Sequence, residues 1–263
     1  MIEVLNVGTE HYTTEVGEGV ITVRFSRPAK LNAVSPEMTQ GLWEALRQLA
    51  ESPDLHAMVI TGAGRFFTAG IDLAAVPGDR RGGEYPSDVA FRRAYRKHHL
   101  LYDEFESVEK PIILAAQGPC LGAGVEMAAS CDFRFASTET YFALPEINLG
   151  VIPGSGGASR VTRLVGVHWS KWLGMAGQRI SAEQALMIGF VHEVYEPGEF
   201  DERVAAFAKG LAALPHEAVG AAKLVIDLAA DIDRTSARHV ERIANSPLNA
   251  SAEFARLSAR YAK

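Results

Sequence analysis

The sequence predicts an α/β protein with parallel strand pairing and a helical C-terminal region. Short apolar runs at 19–25 (GVITVRF), 57–61 (AMVIT) and 111–116 (PIILAA) alternate with segments of helical period. After about residue 200 the helical period dominates. The 263 residues are 48% hydrophobic and 22% charged, which suits a soluble chain with a substantial core.

Each element follows from local pattern. In 19–25, Ile21, Val23 and Phe25 share one face of a strand, with Thr22 and Arg24 on the other. The loop SRPAKLNAV follows. Ser35 is an N-cap, Pro36 the first helical residue and Glu37 an acid in the first turn. Met38, Leu42, Leu46 and Leu49 then repeat at helical spacing, so 36–51 is an amphipathic helix. The buried strand 57–61 ends at Gly62, and GAGRFFTAGIDL is rich in turns. Residues 74–90 read as a mobile loop, with a helix from about Val89 to Val108. After PIILAA, the residues Gly122, Ala123 and Gly124 open a short helix carrying Glu126. DFRFAS and TYFALPEI read as strands. From Val167 onward helical patterns lead: WSKWLGMAG, SAEQALMIG, DERVAAFAKGLAAL, PHEAVGAAKLVIDLAAD and the stretch to Lys263, with FVHEVYE a strand among them.

Net charge is −6, which disfavours nucleic acid as a partner. Cys120 and Cys131 lie in apolar surroundings without metal-ligand spacing and read as buried free thiols of a reducing compartment. The N-terminus lacks a signal-peptide pattern, and no run of about 18 apolar residues occurs, so a cytoplasmic chain without a membrane span is expected.

Two carboxylates stand out. From Pro111 to Cys131 the only charge is Glu126; from Thr140 to Ser159 it is Glu146. Charged side chains are rare in cores, and burial raises a carboxyl's proton affinity. If both face one cavity, their surroundings can set one as acid and the other as base. The turns TAGID (68–72) and LGAG (121–124) each follow a strand and leave backbone N–H groups without partners. Two such donors on one oxygen make an oxyanion hole, and the amides of Ile71 and Ala123 are the candidates.

The chain resembles the enoyl-CoA hydratase/isomerase, or crotonase, family over nearly its whole length. RPAKLNAV (27–34), FFTAGIDL (66–73), KPIILAAQGPCLGAGVEMAASCDFRFAS (110–137) and FALPEINLGVIPGSGG (142–157) carry the resemblance, in the family's order and spacing. It implies a crotonase-like spiral of β-β-α units, as in Clp-type proteases, over 1–200. A helical region, 201–263, would build a homotrimer or a dimer of trimers. It implies acyl-CoA thioester substrates, with coenzyme A entering as part of the substrate, and no metal or redox cofactor. Ile71 and Ala123 become the oxyanion donors; Ala123 stands where many members have glycine. Glu126 would orient and deprotonate water, and Glu146 would deliver a proton to the α-carbon. Arg27, Lys30, Leu31 and Ala33 would lie near the coenzyme A phosphates and pantetheine. The Ala69 carbonyl would meet the adenine amino group, beside Gly70 and Asp72.

Members that only shift a double bond commonly lack the first acid. Dienoyl isomerases add an aspartate eight residues after the second, where this chain has Gly154. The pair therefore favours a 2-enoyl-CoA hydratase, with a delta-isomerase or a hydratase-lyase as alternatives and an RNA-binding member as the non-enzyme one. Residues 73–100 are expected to line the acyl pocket. The basic run RRAYRKHH (92–99) reads as a solvated helix face, and adjacent His98 and His99 lack metal-binding spacing. Ser155 in PGSGG reads as a turn or cap serine, and Asp72 as a loop-stabilising carboxylate. Arg256 and Arg260 are unassigned.

Overall fold

A computed structural model describes residues 7–75 and 88–261. The loop expected over 74–90 lies mostly outside the described residues. The elements in order are β1 (Tyr12–Gly17), β2 (Val20–Phe25), α1 (Pro36–Glu51), β3 (Ala57–Gly62), α2 (Asp88–Ser107), β4 (Ile112–Ala116) and β5 (Cys120–Leu121). Next come α3 (Ala123–Ala129), β6 (Phe133–Ser137), β7 (Tyr141–Ala143), α4 (Ser159–Ser170), β8 (Arg179–Ser181), α5 (Ala182–Met187) and β9 (Glu193–Tyr195). Four helices close the chain: α6 (Phe200–Ala212), α7 (His216–Ala229), α8 (Arg234–Asn249) and α9 (Ala252–Ser258).

Among the described residues the strands form two sheets. The larger runs β1-β2-β3-β4-β6-β9, parallel from β2 onward; the smaller runs β5-β7-β8. Single bridges, Val34 to Ile71 and Thr68 to Cys120, extend the smaller sheet back toward the N-terminus. Successive turns of the chain thus give a long strand to one sheet, a short strand or bridge to the other, and then a helix. That is the expected spiral.

The sequence pattern explains the core. In β2, Ile21, Val23 and Phe25 are fully buried, as the alternation predicts. The Ser35 hydroxyl accepts from the Met38 amide and caps α1, whose Met38, Leu42, Leu46 and Leu49 are at most 2% exposed. Burying each such side chain stabilises by about 1.5–3 kcal/mol. On the other face of the sheet, Phe200, Val204, Ala208 and Ala212 of α6 pack on Val59, Ile113 and Phe135. The first helix past residue 200 therefore covers the sheet, and α7 is fastened through Lys223. The Lys223 ammonium, on a side chain 6% exposed, donates to Asp132 Oδ2 at 2.9 Å and to the Phe105 carbonyl at 2.6 Å. The same Asp132 oxygen accepts from the Ile112 amide at 2.7 Å.

Two expectations change. TYFALPEI is a strand only to Ala143; Pro145, with no N–H for a ladder, opens a 3-10 turn, Pro145–Leu149, that carries Glu146. Helix begins at Ser159 rather than Val167, with a non-helical Gly166 inside it. The strand β1 had no counterpart among the expected elements. Both cysteines are buried and free.

Candidate active site

The site lies where α3 starts and the smaller sheet ends. Gly122 precedes α3 with φ +53° and ψ −118°, a backbone shape that disfavours any side chain. A Cβ there would also lie 2.9 Å from Glu146 Oε1. Gly122 therefore lets the 3-10 turn press Glu146 against the helix N-terminus.

The two candidate amides converge at the same place. The bridge between Val34 and Ile71 uses the Gly70 carbonyl, which accepts from Val34 N–H at 2.8 Å, and the Asp72 N–H, which donates to the Val34 carbonyl at 2.9 Å. That pattern turns the Ile71 N–H away from Val34. Ala123 is the first residue of α3, so its N–H has no carbonyl within the helix. Among the described residues neither amide has an acceptor. Gly70, at φ +98°, joins the two strips: a Cβ on it would lie 3.3 Å from the Leu121 carbonyl oxygen and 3.8 Å from the Ala123 nitrogen.

Glu126 sits one turn into α3 and is 4% exposed. Its Oε1 accepts from the Ser155 amide at 2.7 Å. Burial raises its pKa to about 7, and nearby Glu146 pushes the same way, against the Ser155 and Gly157 amides and Arg160. Burial also raises the pKa of Glu146, whose Oε2 is buried without a partner among the described residues. The charge of Glu146 acts on Glu126, so the two carboxyls have unequal surroundings. Such a pair can take a proton at one atom and give one at another.

Further residues, unassigned from the sequence, frame this pair. The Tyr95 phenol lies over Gly154, hydrogen-bonds with the Ser155 side chain, and feels both carboxyls. Its sequence signal was an aromatic stripe, Tyr95, His99 and Tyr102, at helical spacing and starting in the basic run. The Tyr102 hydroxyl donates to the Ala123 carbonyl at 3.1 Å. Arg160 of α4 grips Glu106 of α2 through two bonds of 2.7 Å and Asp103 through one of 2.6 Å. Asn32, fully buried, donates to the Ala63 and Phe66 carbonyls, while its own carbonyl accepts from Thr68 Oγ1.

Arg27, expected near coenzyme A, pairs within the chain. Its guanidinium turns inward, donating to the Ala33 carbonyl at 2.9 Å and to Asp72 Oδ2 at 3.0 Å. That pairing holds the Asp72 carboxyl below its usual range and gives Asp72 the loop-stabilising part expected of it. Lys30 is exposed and without an ion partner among the described residues. Leu31 is 38% exposed at φ +52°, and its carbonyl accepts from the Ala69 amide at 2.9 Å, so Leu31, Ala33, Ala69 and Gly70 form one continuous rim. Among the described residues no group of three or more His, Cys, Asp and Glu could hold a metal, and no helix is long and apolar enough to cross a membrane.

The family model for enoyl-CoA hydratase/isomerase matches residues 15–261. A short-chain-enoyl-CoA hydratase of Clostridium acetobutylicum is 33% identical over 217 residues, 81% of this chain and 80% of that one. A peroxisomal Delta(3,5)-Delta(2,4)-dienoyl-CoA isomerase of Arabidopsis thaliana is 30% identical over 210 residues, 76% of this chain and 74% of its own. Among solved structures, enoyl-CoA hydratase subunit I of Geobacillus kaustophilus HTA426 superimposes with a TM-score of 0.87 at 30% identity, covering 95% of this chain and 94% of that one.

Proposed function

The chain belongs to the enoyl-CoA hydratase/isomerase family, and from that premise we propose that it adds water across the 2,3 double bond of a 2-enoyl-CoA thioester. One observation carries the reading: two carboxyls of raised proton affinity stand beside two convergent, unpaired backbone amides.

The thioester oxygen is held by the amides of Ile71 and Ala123. Charge develops on that oxygen as water adds to C3, and each such donor is worth roughly a hundred- to thousandfold in rate. Glu126, fixed through Oε1 by the Ser155 amide, takes a proton from water with its other oxygen. The hydroxide oxygen bonds C3 and the double bond opens. Glu146 gives its proton to C2 from the buried, partnerless Oε2. One carboxyl gains a proton and the other loses one, and exchange with solvent resets the pair. A base with pKa about 7 suits this work at neutral pH.

Coenzyme A is anionic and the chain is net acidic, so its phosphates need a local cation. Exposed Lys30 fits that part; Arg27, committed to Asp72, shapes the loop. Self-association is supported by exposed apolar residues, among them Ile152, Met175, Met187, Ile226 and Ile243, each at least 68% exposed. Light scattering tests the trimer or hexamer.

The dienoyl isomerase reading meets an obstacle at Gly154. Any Cβ there would come within 2.2 Å of the Tyr95 phenol oxygen, so an aspartate would displace Tyr95. The test of the hydratase reading is loss of the conjugated enoyl-thioester absorbance of crotonyl-CoA. Wild type should consume it, and Glu126→Gln and Glu146→Gln should each be slower by about a hundredfold or more. A wild type that moves the double bond instead of hydrating it would replace this reading with isomerisation.

A further inference from the structure

Tyr95 stands beside the carboxyl pair: it bonds with Ser155, whose amide holds Glu126, and both carboxyls act on it. With the carbonyl oxygen at Ile71 and Ala123, an acyl chain passes C2 and C3 between Glu126 and Glu146. Beyond Glu126 it meets the turn 153–157, whose Ser155 amide is 2.7 Å from Glu126 Oε1. Over that turn lies the Tyr95 ring, with its oxygen 2.2 Å and its nearest ring carbon 2.8 Å from where a Gly154 Cβ would be. The ring is braced: its hydroxyl bonds with Ser155, and His99 packs edge-on against it at 4.7 Å and 67°. Asp103 and Glu106, farther along α2, are gripped by Arg160, which holds the helix against α4.

We propose that Tyr95, braced on Ser155 and lying over Gly154, is the end wall of the acyl subsite and restricts this chain to short acyl groups. Gly154 belongs to the same device, because only a residue without Cβ lets the phenol lie so low. The inference rests on the hydratase reading for where the thioester sits, but its test does not depend on turnover.

Saturated butyryl-CoA and decanoyl-CoA, titrated calorimetrically into wild type, Tyr95→Phe, Tyr95→Leu and Tyr95→Ala, read the wall directly. Wild type should favour butyryl-CoA by about tenfold or more, the scale on which a pocket rejects a chain it cannot hold. Tyr95→Phe should keep the preference, since the ring remains. Tyr95→Leu and Tyr95→Ala should bring the two affinities to within about threefold of each other. The leucine variant retains apolar bulk, and circular dichroism checks that both remain folded. Equal affinities in wild type, or an unchanged ratio in both shortened variants, would overturn the proposal. A shifted binding ratio in a protein that hydrates no enoyl-CoA would leave the wall standing and remove the hydratase reading.

Discussion

Glu126→Gln should stabilise the protein in mild alkali while slowing hydration by about a hundredfold or more. The carboxyl is 4% exposed, and burial together with Glu146 raises its pKa from 4.5 to about 7. At about 1.36 kcal/mol per pKa unit that shift is worth about 3 kcal/mol. Below the unfolded value of 4.5, folded and unfolded chains both hold the proton and the site costs nothing in this respect. Between 4.5 and about 7 the unfolded chain releases the proton while the folded chain keeps it. Stability therefore falls as pH rises through that window, and above it the fold carries a buried charge at full cost.

Glutamine has nearly the same shape, can still accept the Ser155 N–H, and does not titrate. Urea unfolding at about pH 5 and about pH 8, at one protomer concentration, gives the comparison. The variant should gain on wild type by about 2–3 kcal/mol between the two conditions. An identical stability difference at both pH values would refute the account of Glu126 as a carboxyl held against its ionisation. If Glu126→Gln also hydrated crotonyl-CoA at near the wild-type rate, the residue would have neither the strain nor the role assigned to it.

Three further outcomes are expected. If Glu126 is the base, kcat/KM for hydration should rise with pH along a limb centred near 7, and the Glu126→Gln variant should lose that limb; a flat wild-type profile would contradict it. Gly122→Ala puts a Cβ at φ +53° and 2.9 Å from Glu146 Oε1, so hydration should fall by about tenfold or more, while Gly150→Ala, also at positive φ but with open space around its Cβ position, controls for backbone strain alone. Lys223→Ala leaves Asp132 buried without its cation and should cost about 3–5 kcal/mol, lowering Tm by roughly 6–20 °C in differential scanning calorimetry; a shift under about 2 °C would show the ion pair to be dispensable.

Much of the fold was legible because local chemistry and tertiary packing agree. Ser35, Pro36 and the Met38–Leu49 stripe state α1 at every level, and β2 alternates as it is buried. Glu126 and Glu146 were legible for the opposite reason, each a charge where the pattern demands none. The features missed depend on long-range contact. Tyr95 sits in a basic run, and nothing local says that α2 turns its aromatic stripe to a glycine about sixty residues away. The Ser155 amide is a backbone donor, which the side-chain identity does not encode. The pairing of Arg27 with Asp72 was not legible either, because it spans a turn that the sequence leaves open. The strand β1 has little apolar signal: its edge position leaves Thr13, Glu15 and Gly17 facing outward.

The distribution of unpaired polar groups ties fold to chemistry. Folding favours partners for every buried donor and acceptor. This chain meets that demand closely at the rim: Asn32, Thr68, Arg27 and the backbone of residues 31–34 are bonded to one another or to the turn 63–72. Inside that rim, among the described residues, the Ile71 amide, the Ala123 amide and the buried Glu146 Oε2 have no partner. In the proposed hydration each would meet a reacting atom, two donors for the thioester oxygen and an acid oxygen for C2. In that reading the bonded rim holds these groups in place for the substrate. Breaking a rim bond should therefore reduce turnover without touching any reacting atom. Asn32→Ala, which frees the Ala63 and Phe66 carbonyls, is the variant in which that loss should be largest relative to its distance from the carboxyls.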